Sequence, residues 1–577
     1  MSGPTPPTPP SHPTRFAPAA AAVLTLGLVV LLLWHFHDRF WYPSDEGIYA
    51  NIAERLLSGE VLGRDVQDLH PGYGDFLNAA AMWLFGVDLL SLRYPLVLTA
   101  VLQSMLVFAF LVRRGAVLAA AGSIAVAAIG VVQFLNPTPH WYCAFFLVAI
   151  ACWMKWVPPE RAARLVGAGV LVGVAALFRQ LSGVWIAMGV VTVALLEQAP
   201  RSSRRGWLAP ALLTTMALAI ALYVAKSREV DGGGLVLFAA WPMAILVSAV
   251  ARVRIPNDQA VKMLAQLSAG AAAAALPLFV YGIVHGSLGA WADDNVMAAF
   301  TLADLAFFHG GWWYGALPVA GLHQALTAFD LSKSLNGIYW TVLPLLAATN
   351  GLLVLRRLGT PGDRSTLALP VLAAFYGLVS LFMQDAIYLH FTAGLSLVAV
   401  LAQIASSGPR VRVAWTALTM LVSVVGVVFH AAQPATRTSS ELLEGARTTK
   451  TWTKGPIMRC SLRVDPDERG QYERLVALIT REVPPNEAIA ALPSDAALYF
   501  LSNRRNPFRF YNSSFGIRGA ADLKGASETF SRARPRIVTF RPEDKYNTDA
   551  SRALMQQVRL GYDLVETIAG VEVYRLR

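Results

Sequence analysis

The sequence predicts a polytopic α-helical membrane protein that ends in a soluble α/β domain. Of its 577 residues, 55% are hydrophobic and only 15% are charged, and the mean hydropathy is +0.48. Soluble globular proteins carry about 25% charged residues, so the bilayer is the expected solvent for most of this chain. Apolar runs recur from residue 17 to residue 430, whereas residues 431–577 are polar. These observations divide the chain into a membrane part and a water-soluble part.

The membrane part is predicted to span residues 16–430, after a disordered cytoplasmic tail at 1–15 that is rich in Pro, Ser and Thr. Its first apolar run is too long for a signal peptide, and no small-residue cleavage site follows it. With that run, we expect about thirteen transmembrane helices: 17–36, 89–112, 115–135, 140–156, 163–178, 181–196, 208–225, 234–251, 263–285, 336–355, 367–383, 387–404 and 413–430.

The distribution of Lys and Arg predicts the orientation of these helices. If the N-terminus is cytoplasmic, the cytoplasmic loops contain sixteen Lys and Arg but only four acids. The long loops 37–88 and 286–335, and residues 431–577, then lie outside the cell's inner membrane. The net charge of +11 is explained by these loops, so it does not indicate nucleic-acid binding.

The polar C-terminal region alternates helix and strand patterns, which indicates a small α/β domain. Helices are predicted at 467–482, 519–532 and 549–560, and strands at 487–492, 536–541, 563–568 and 571–576. The region contains no Gly-rich phosphate loop and no catalytic triad spacing. The chain's three cysteines, Cys143, Cys152 and Cys460, form neither a disulfide framework nor a metal-ligand spacing.

A short amphipathic helix directly after the first span carries the main candidate residues. Pro43 and Ser44 indicate its start, with Ser44 as the predicted N-cap. Asp45 and Glu46 follow in the first turn, at the predicted membrane–water boundary. The alternative is that both acids only complement the helix dipole.

Other polar residues interrupt apolar runs on the same predicted side. Arg179 stands between two runs on the side where arginines are scarce, and ionisable groups at span ends are functional candidates. For the histidines at 140 and 390, the alternative is a bond to a backbone carbonyl. The full set of candidates for substrate binding is Arg64, Asp65, His70, His140, Arg179, Gln180, Tyr388 and His390.

The loop 286–335 is rich in aromatic residues, including Phe307, Phe308, His309, Trp312 and Trp313. These fit either an ordinary interfacial belt or a platform that stacks on a sugar ring or a lipid tail.

These residue types favour one kind of chemistry. An arginine near membrane depth suits the phosphate of a lipid. A carboxylate at the same boundary suits removal of a proton from a hydroxyl. Because no nucleotide site is evident, the sequence indicates group transfer from a lipid-linked phosphate donor to a hydroxyl.

The first predicted outer loop resembles that of the GT-C glycosyltransferases. The resemblance is carried by Trp41-x-Pro43-Ser44-Asp45-Glu46-x-x-Tyr49-Ala50-x-x-Ala53-x-x-Leu56-Leu57-x-Gly59, Arg64-Asp65, Pro71, Leu84-Phe85-Gly86 and Leu92-Arg93. It is closest to the protein O-mannosyltransferase and aminoarabinose lipid A transferase branch. The resemblance in motif covers roughly residues 41–93, whereas the resemblance in architecture extends over the whole chain.

The resemblance implies an integral membrane enzyme with eleven to thirteen helices, two interfacial helices and an outer C-terminal domain. It implies a polyprenyl-phosphate sugar donor and inversion at the sugar carbon. The essential first-loop acid of the family corresponds to Asp45, with Glu46 beside it, acting as general base or through a divalent metal. Arg179 and the Tyr388/His390 site match the family's phosphate-holding region by position and chemistry only.

Several alternatives stay open at this point. A transporter or lipid flippase would show internal repeats, and none is evident. An oligosaccharide ligase would take a lipid-diphosphate donor. The sugar is undetermined, and the acceptor is a glycan, a lipid or a protein. No cofactor is required: Asp45, Glu46 and a further carboxylate are suited to a divalent metal, but nothing in their spacing demands one.

Overall fold

The structure is a computed structural model that describes residues 16–198, 206–226, 232–298, 300, 314–360, 366–383, 385–432, 439–444, 452–455 and 457–577. The predicted tail at 1–15 lies outside the described residues. So do the aromatic residues Phe307, Phe308, His309, Trp312 and Trp313.

Each of the thirteen predicted apolar runs contains a helix. The helices up to residue 444 are α1 (Phe16–Phe36), α2 (Pro43–Leu57), α3 (Tyr73–Phe85), α4 (Arg93–Leu111), α5 (Ala116–Ala128), α6 (Pro139–Trp156), α7 (Ala162–Phe178), α8 (Gln180–Gln198), α9 (Leu208–Lys226), α10 (Gly232–Arg252), α11 (Asn257–Val284), α12 (Leu288–Ala292), α13 (Ala316–Thr327), α14 (Leu331–Gly359), α15 (Ala368–Tyr376), α16 (Ala386–Ile404), α17 (Pro409–Val425) and α18 (Ser439–Glu444).

Ten helical segments in the described part of the chain are long and apolar enough to cross a membrane. The segments Ala162–Phe178 and Ala368–Leu381 are shorter apolar helices. The chain is therefore a multi-pass helical membrane protein, as predicted, although only ten of the thirteen runs satisfy the length and composition expected of a span.

Close helix packing builds the bundle. A side chain at Gly169 of α7 would place its Cβ 2.1 Å from the carbonyl oxygen of Leu267 in α11, so only glycine allows this approach. Every residue of α16 is buried, which makes α16 a central helix of the bundle. Its first turn therefore presents side chains to the interior at one end of the bundle.

The C-terminal domain packs against that same end, which we call the domain end. It contains α19 (Pro466–Glu482), α20 (Ala496–Ser502), α21 (Ser513–Gly516), α22 (Ala520–Ala533), α23 (Asp549–Gly561), β1 (Ala490–Leu492), β2 (Ile537–Phe540), β3 (Tyr562–Ile568) and β4 (Val571–Leu576). The sheet order is β1-β2-β4-β3, with β1 and β2 parallel and the other pairs antiparallel. The predicted soluble α/β domain is confirmed.

Helix α2 begins at Pro43, and Tyr42 is its N-cap, so the prediction that Ser44 caps the helix is wrong. The physical reason is that proline, which has no N–H, fits the first helical position. Glu46 Oε2 accepts the backbone N–H of Tyr42 at 2.8 Å, so this carboxylate reaches back from the first turn to the N-cap residue.

Helix α2 is covered by the C-terminal domain and does not lie with an open face on a surface. Residues 37–92, here called the first loop segment, share one hydrophobic core with residues 457–573. At the centre of the contact, a Cβ at Gly47 would lie 2.5 Å from the backbone nitrogen of Ala497 in α20. The two helices therefore touch backbone to backbone at this point.

Candidate active site

Asp45 lies in the first turn of α2, at the domain end of the bundle. The residue is half-buried. Asn136 Nδ2 donates to Asp45 Oδ2 at 3.3 Å. Burial raises the pKa of Asp45 from 3.8 to about 6, Lys545 opposes this rise, and Glu46 adds to it. Asp45 is therefore largely anionic at neutral pH and can accept a proton.

Arg179 occupies the break between α7 and α8, where the backbone is extended (φ −156°, ψ 117°). The residue is only 9% exposed. Its guanidinium carbon lies 4.6 Å from the centre of the Phe382 ring, and its Nη1 donates to His140 Nε2. Within the described part of the chain, no carboxylate forms an ion pair with Arg179. A buried cation without a counter-ion is costly, so this position favours an anionic ligand.

The segment 136–140 connects Asp45 with Arg179, because Asn136 bonds the first and His140 bonds the second. The Tyr388 ring meets the His140 ring edge-on, with ring centres 5.2 Å apart. The charges of Asp45 and Arg179 both act on Tyr388. The structure thus brings four predicted site residues together: Asp45, His140, Arg179 and Tyr388.

His70 joins this cluster from the first loop segment. Its Nδ1 lies 3.2 Å from Asp68 Oδ1, and the side chain is 27% exposed. The His70 ring acts electrostatically on both Asp45 and His140. His70 therefore lies beside the cluster, oriented by a buried carboxylate.

Three predicted site residues are held in ion pairs instead. Arg93 Nε donates to Glu46 Oε1 at 2.7 Å, and Nη2 donates to Oε2 at 3.0 Å. Because Tyr42 also donates to Glu46, both oxygens of this fully buried side chain are engaged. Arg64 and Asp65 bond each other at 2.8 Å, with the Arg64 side chain 54% exposed. The structure gives Glu46 an anchoring role that differs from the predicted catalytic one.

Gln180 and His390 also have structural partners. Gln180 Nε2 donates to the Leu69 carbonyl at 2.8 Å and to Asn295 Oδ1 at 2.9 Å, which ties the first loop segment to the region after α12. His390 is buried in α16, and its Nδ1 lies 3.0 Å from the carbonyl oxygen of Ile129. This is the backbone contact that the sequence left open as the alternative for His390.

The structure adds two residues that sequence reasoning did not select. Asp385 is the N-cap of α16, where its Oδ1 accepts from the Ile387 N–H at 3.3 Å. Burial raises the pKa of Asp385 to about 7, Lys545 lowers it, and Asp45 raises it. Lys545 belongs to the C-terminal domain and acts on both carboxylates. Asp385 was visible as an acid that opens a span, whereas no sequence signal marked Lys545.

The loop that carries Lys545 is held in one conformation by its own hydrogen bonds. Asp544 accepts from the Tyr546 N–H at 2.8 Å and from Ser494 Oγ at 3.2 Å. Asn547 Nδ2 donates to the Arg541 carbonyl at 2.9 Å. The C-terminal domain therefore contributes a positive charge whose field reaches both carboxylates.

Among the described residues, no three His, Cys, Asp or Glu side chains form a group that would hold a metal ion. The carboxylates of Asp45 and Asp385 are the chemically suitable pair for a hard cation, since such ions prefer oxygen ligands. Metal binding by Asp45 stays a prediction.

The charges around Asp45 predict a pH dependence. If Asp45 must be anionic, kcat/KM for transfer should fall as the pH drops through about 6. Lys545, Glu46 and His70 act on the Asp45 carboxylate electrostatically, and Asn136 donates to it; of these groups, Lys545 lowers the pKa of Asp45 most. Replacing Lys545 with Met should move the acid limb to higher pH, and Lys545→Arg should restore it.

The matched control for that pH profile is Lys524→Met in the same domain, whose side chain is 80% exposed. An equal shift in both variants, or a shift of the Lys545→Met limb to lower pH, would contradict the assignment.

No protein-family model and no curated protein matches the chain. Solved structures similar to it include ArnT from Cupriavidus metallidurans bound to undecaprenyl phosphate (14% identity, TM-score 0.38, 97% of each chain). The same protein in the apo state gives 14% identity and a TM-score of 0.40 over 97% of this chain and 98% of that chain. The apo Archaeoglobus fulgidus oligosaccharyltransferase gives 13% identity and a TM-score of 0.46 over 98% and 75%.

These structures are GT-C proteins, the class that the motif at residues 41–93 resembles. Because the TM-scores lie below 0.5, no residue role is carried over from them to this chain.

Proposed function

We propose that this chain is an inverting glycosyltransferase that moves a sugar from a polyprenyl-phosphate donor to an acceptor hydroxyl. The observation that supports this most directly is the pairing of two groups in one cluster. Asp45 is a proton-accepting carboxylate, and Arg179 is a buried cation linked to it through the segment 136–140. Asp45 is suited to activating the nucleophilic hydroxyl, and Arg179 is suited to binding the leaving phosphate.

In the proposed reaction, Asp45 takes the proton of the acceptor hydroxyl as its oxygen attacks the anomeric carbon of the sugar. The new C–O bond forms on the face opposite the phosphate, so the configuration inverts. The bond between the anomeric carbon and the phosphate oxygen breaks, and polyprenyl phosphate leaves with both electrons. Arg179 stabilises the charge that develops on that phosphate.

The reaction is proposed to take place on the extracytoplasmic side of the inner membrane. The support is the positive-inside distribution of Lys and Arg, which predicts that the domain end of the bundle lies outside. A donor that is activated through its membrane lipid needs no nucleotide site, and none is evident in the sequence.

The deciding experiment uses purified protein in nanodiscs with synthetic donors. Transfer from a polyprenyl-monophosphate sugar but not from the matching diphosphate supports the proposal. Transfer from the diphosphate alone would favour an oligosaccharide ligase, and lipid translocation without transfer would favour a flippase. The same assay after dialysis against EDTA, with and without added Mg²⁺ or Mn²⁺, tests the role of a divalent metal.

Arg179 should govern the affinity for the donor. Replacing it with Gln removes a buried charge partner of the phosphate, for which about 2–5 kcal/mol is typical. We therefore expect the KM for the donor to rise by about 30-fold or more. Arg179→Lys keeps the charge but loses the planar fork and should recover only part of the affinity.

The control for Arg179 is Arg64→Gln, because Arg64 lies at the same end of the bundle and is exposed. Its effect on donor KM should be small. An unchanged donor KM in Arg179→Gln would remove Arg179 from the phosphate site.

A further inference from the structure

Arg179 is followed by a residue that is bonded to two other parts of the molecule. This residue is Gln180, which opens α8. Gln180 Nε2 donates to the carbonyl oxygen of Leu69 in the first loop segment at 2.8 Å, and to Asn295 Oδ1 at 2.9 Å. It also donates to the Asn295 carbonyl oxygen at 3.2 Å. Because Arg179 lies in the extended break before α8, these bonds hold one end of that break.

Asn295 belongs to residues 287–298, here called the connecting segment, which lie along the first loop segment. Asn295 is only 5% exposed, and its Nδ2 donates to the Trp291 carbonyl oxygen at 3.1 Å. Trp291 Nε1 in turn donates to the carbonyl oxygen of Pro71 at 2.8 Å. At Gly63, a Cβ would lie 3.2 Å from the Trp291 backbone nitrogen, so the two backbones approach closely. The first loop segment therefore holds the connecting segment in place.

Asp294, which precedes Asn295, joins the connecting segment to the C-terminal domain. The Asp294 side chain is 1% exposed and forms an ion pair with Arg509. Arg509 Nη1 donates to Asp294 Oδ1 at 3.2 Å, and its Nη2 donates to Oδ2. Gln67 Nε2 donates to the same Oδ1 at 2.9 Å. A second arginine of the domain, Arg518, pairs with the adjacent Asp293. A buried carboxylate is costly without its partner, so the ion pair with Arg509 fixes where the domain meets this segment.

Two non-covalent contacts thus separate the C-terminal domain from the Arg179 region. The first is the ion pair of Arg509 with Asp294. The second is the hydrogen bond of Gln180 with Asn295. We propose that Gln180 and Asn295 are positioning residues for Arg179, and that the docked C-terminal domain sets the affinity for the donor phosphate through them. This inference rests on the proposed function, because it takes Arg179 as the group that binds the phosphate.

The first test measures equilibrium binding of polyprenyl monophosphate, without a sugar, to the full-length protein in nanodiscs. Arg509→Met and Gln180→Met should each weaken binding by about ten-fold, a typical coupling between two linked sites. Because both residues act through one path, the double variant should bind no more weakly than the weaker of the two single variants. Unchanged binding in the single variants, or multiplied losses in the double variant, would overturn the proposal.

Kinetics separate positioning from a general loss of structure. In Arg509→Met, the KM for the donor should rise while kcat at saturating donor stays close to the wild-type value. Arg509→Lys keeps a positive charge opposite Asp294 and should recover most of the affinity. A fall of kcat with an unchanged KM would contradict the proposal. If thermal unfolding shows that Arg509→Met is not folded, the double variant Asp294→Asn, Arg509→Met replaces it, because it removes both charges of the ion pair.

The control is Arg459→Met, which breaks another ion pair between the C-terminal domain and the first loop segment. Arg459 pairs with Glu54 of α2, and these side chains are 22% and 28% exposed. Binding of polyprenyl phosphate should stay close to the wild-type value in this variant. A loss equal to that of Arg509→Met would show a general loosening of the interface and would contradict the path through Asn295.

Arg179→Gln separates this inference from the proposed function. Normal binding of polyprenyl phosphate in Arg179→Gln would refute the phosphate site itself, and the inference with it. Weakened binding in Arg179→Gln, together with normal binding in Arg509→Met and Gln180→Met, would refute only the positioning role.

Discussion

Replacing Asp45 with Asn is expected to reduce sugar transfer by about a thousand-fold, the middle of the range for loss of a general base. Asparagine keeps the size of the side chain and can still accept from Asn136, which bonds the carboxylate at 3.3 Å. It cannot take a proton from a hydroxyl. The loss should therefore lie in kcat and leave donor binding close to normal. Single-turnover transfer from a preloaded donor is the measurement.

The matched control is Asp65→Asn, another acid of the first loop segment, which is bonded to Arg64 and is outside the cluster. It should retain nearly full activity. An active Asp45→Asn protein would end the proposed mechanism, and an unfolded one is recognised by size-exclusion and thermal unfolding in the same detergent.

Replacing Glu46 with Gln is expected to produce the largest loss of stability, about 3–5 kcal/mol. Arg93 is 1% exposed, and Glu46 is completely buried. The guanidinium also donates to the carbonyl oxygens of His37, Arg39 and Phe40, with the first two at 3.0 and 2.9 Å. Without the Glu46 charge, the arginine becomes an uncompensated buried cation at the entry to α2.

The comparison for this loss is Glu54→Gln in the same helix. Glu54 pairs with Arg459, but these side chains are 28% and 22% exposed, so the expected cost is about 1 kcal/mol or less. Unfolding free energies from denaturant titration in detergent give both values. Equal stability of the two variants would refute the anchoring role of Glu46.

Local sequence patterns were sufficient for much of the fold. The helix predicted at 467–482 is observed at Pro466–Glu482, and the strand predicted at 571–576 is observed at Val571–Leu576. These elements follow from periodicity alone. The packing of the C-terminal domain on α2 could not be predicted from local patterns, because the residues that contact this helix lie more than four hundred positions away. The N-cap was predicted at Ser44 because serine is a preferred capping residue, whereas the observed N-cap, Tyr42, makes no side-chain cap bond.

The site shows the same division between local and long-range information. Asp45 was selected from its place in the first turn of a helix at the predicted membrane boundary and from the motif at 41–93, and Arg179 from its place between two apolar runs. Lys545 lies in a polar domain, where a lysine is common and gives no sequence signal. Only the fold brings its charge near Asp45. His390 and Gln180 had the right residue types, but their partners, Ile129 and Asn295, come from other elements.

Gly47 lies close to Ala497, and residues 41–92 share one hydrophobic core with residues 457–573, so this part of the first loop segment packs as one unit with the C-terminal domain. The boundary between the two packing units therefore does not coincide with the sequence boundary at residue 430. Asp45 stands on α2, which shares its core with the C-terminal domain, whereas Arg179 stands at the break between two helices of the bundle. The proposed base and the proposed phosphate ligand thus belong to different packing units, and the contact between those units sets the distance between the two side chains.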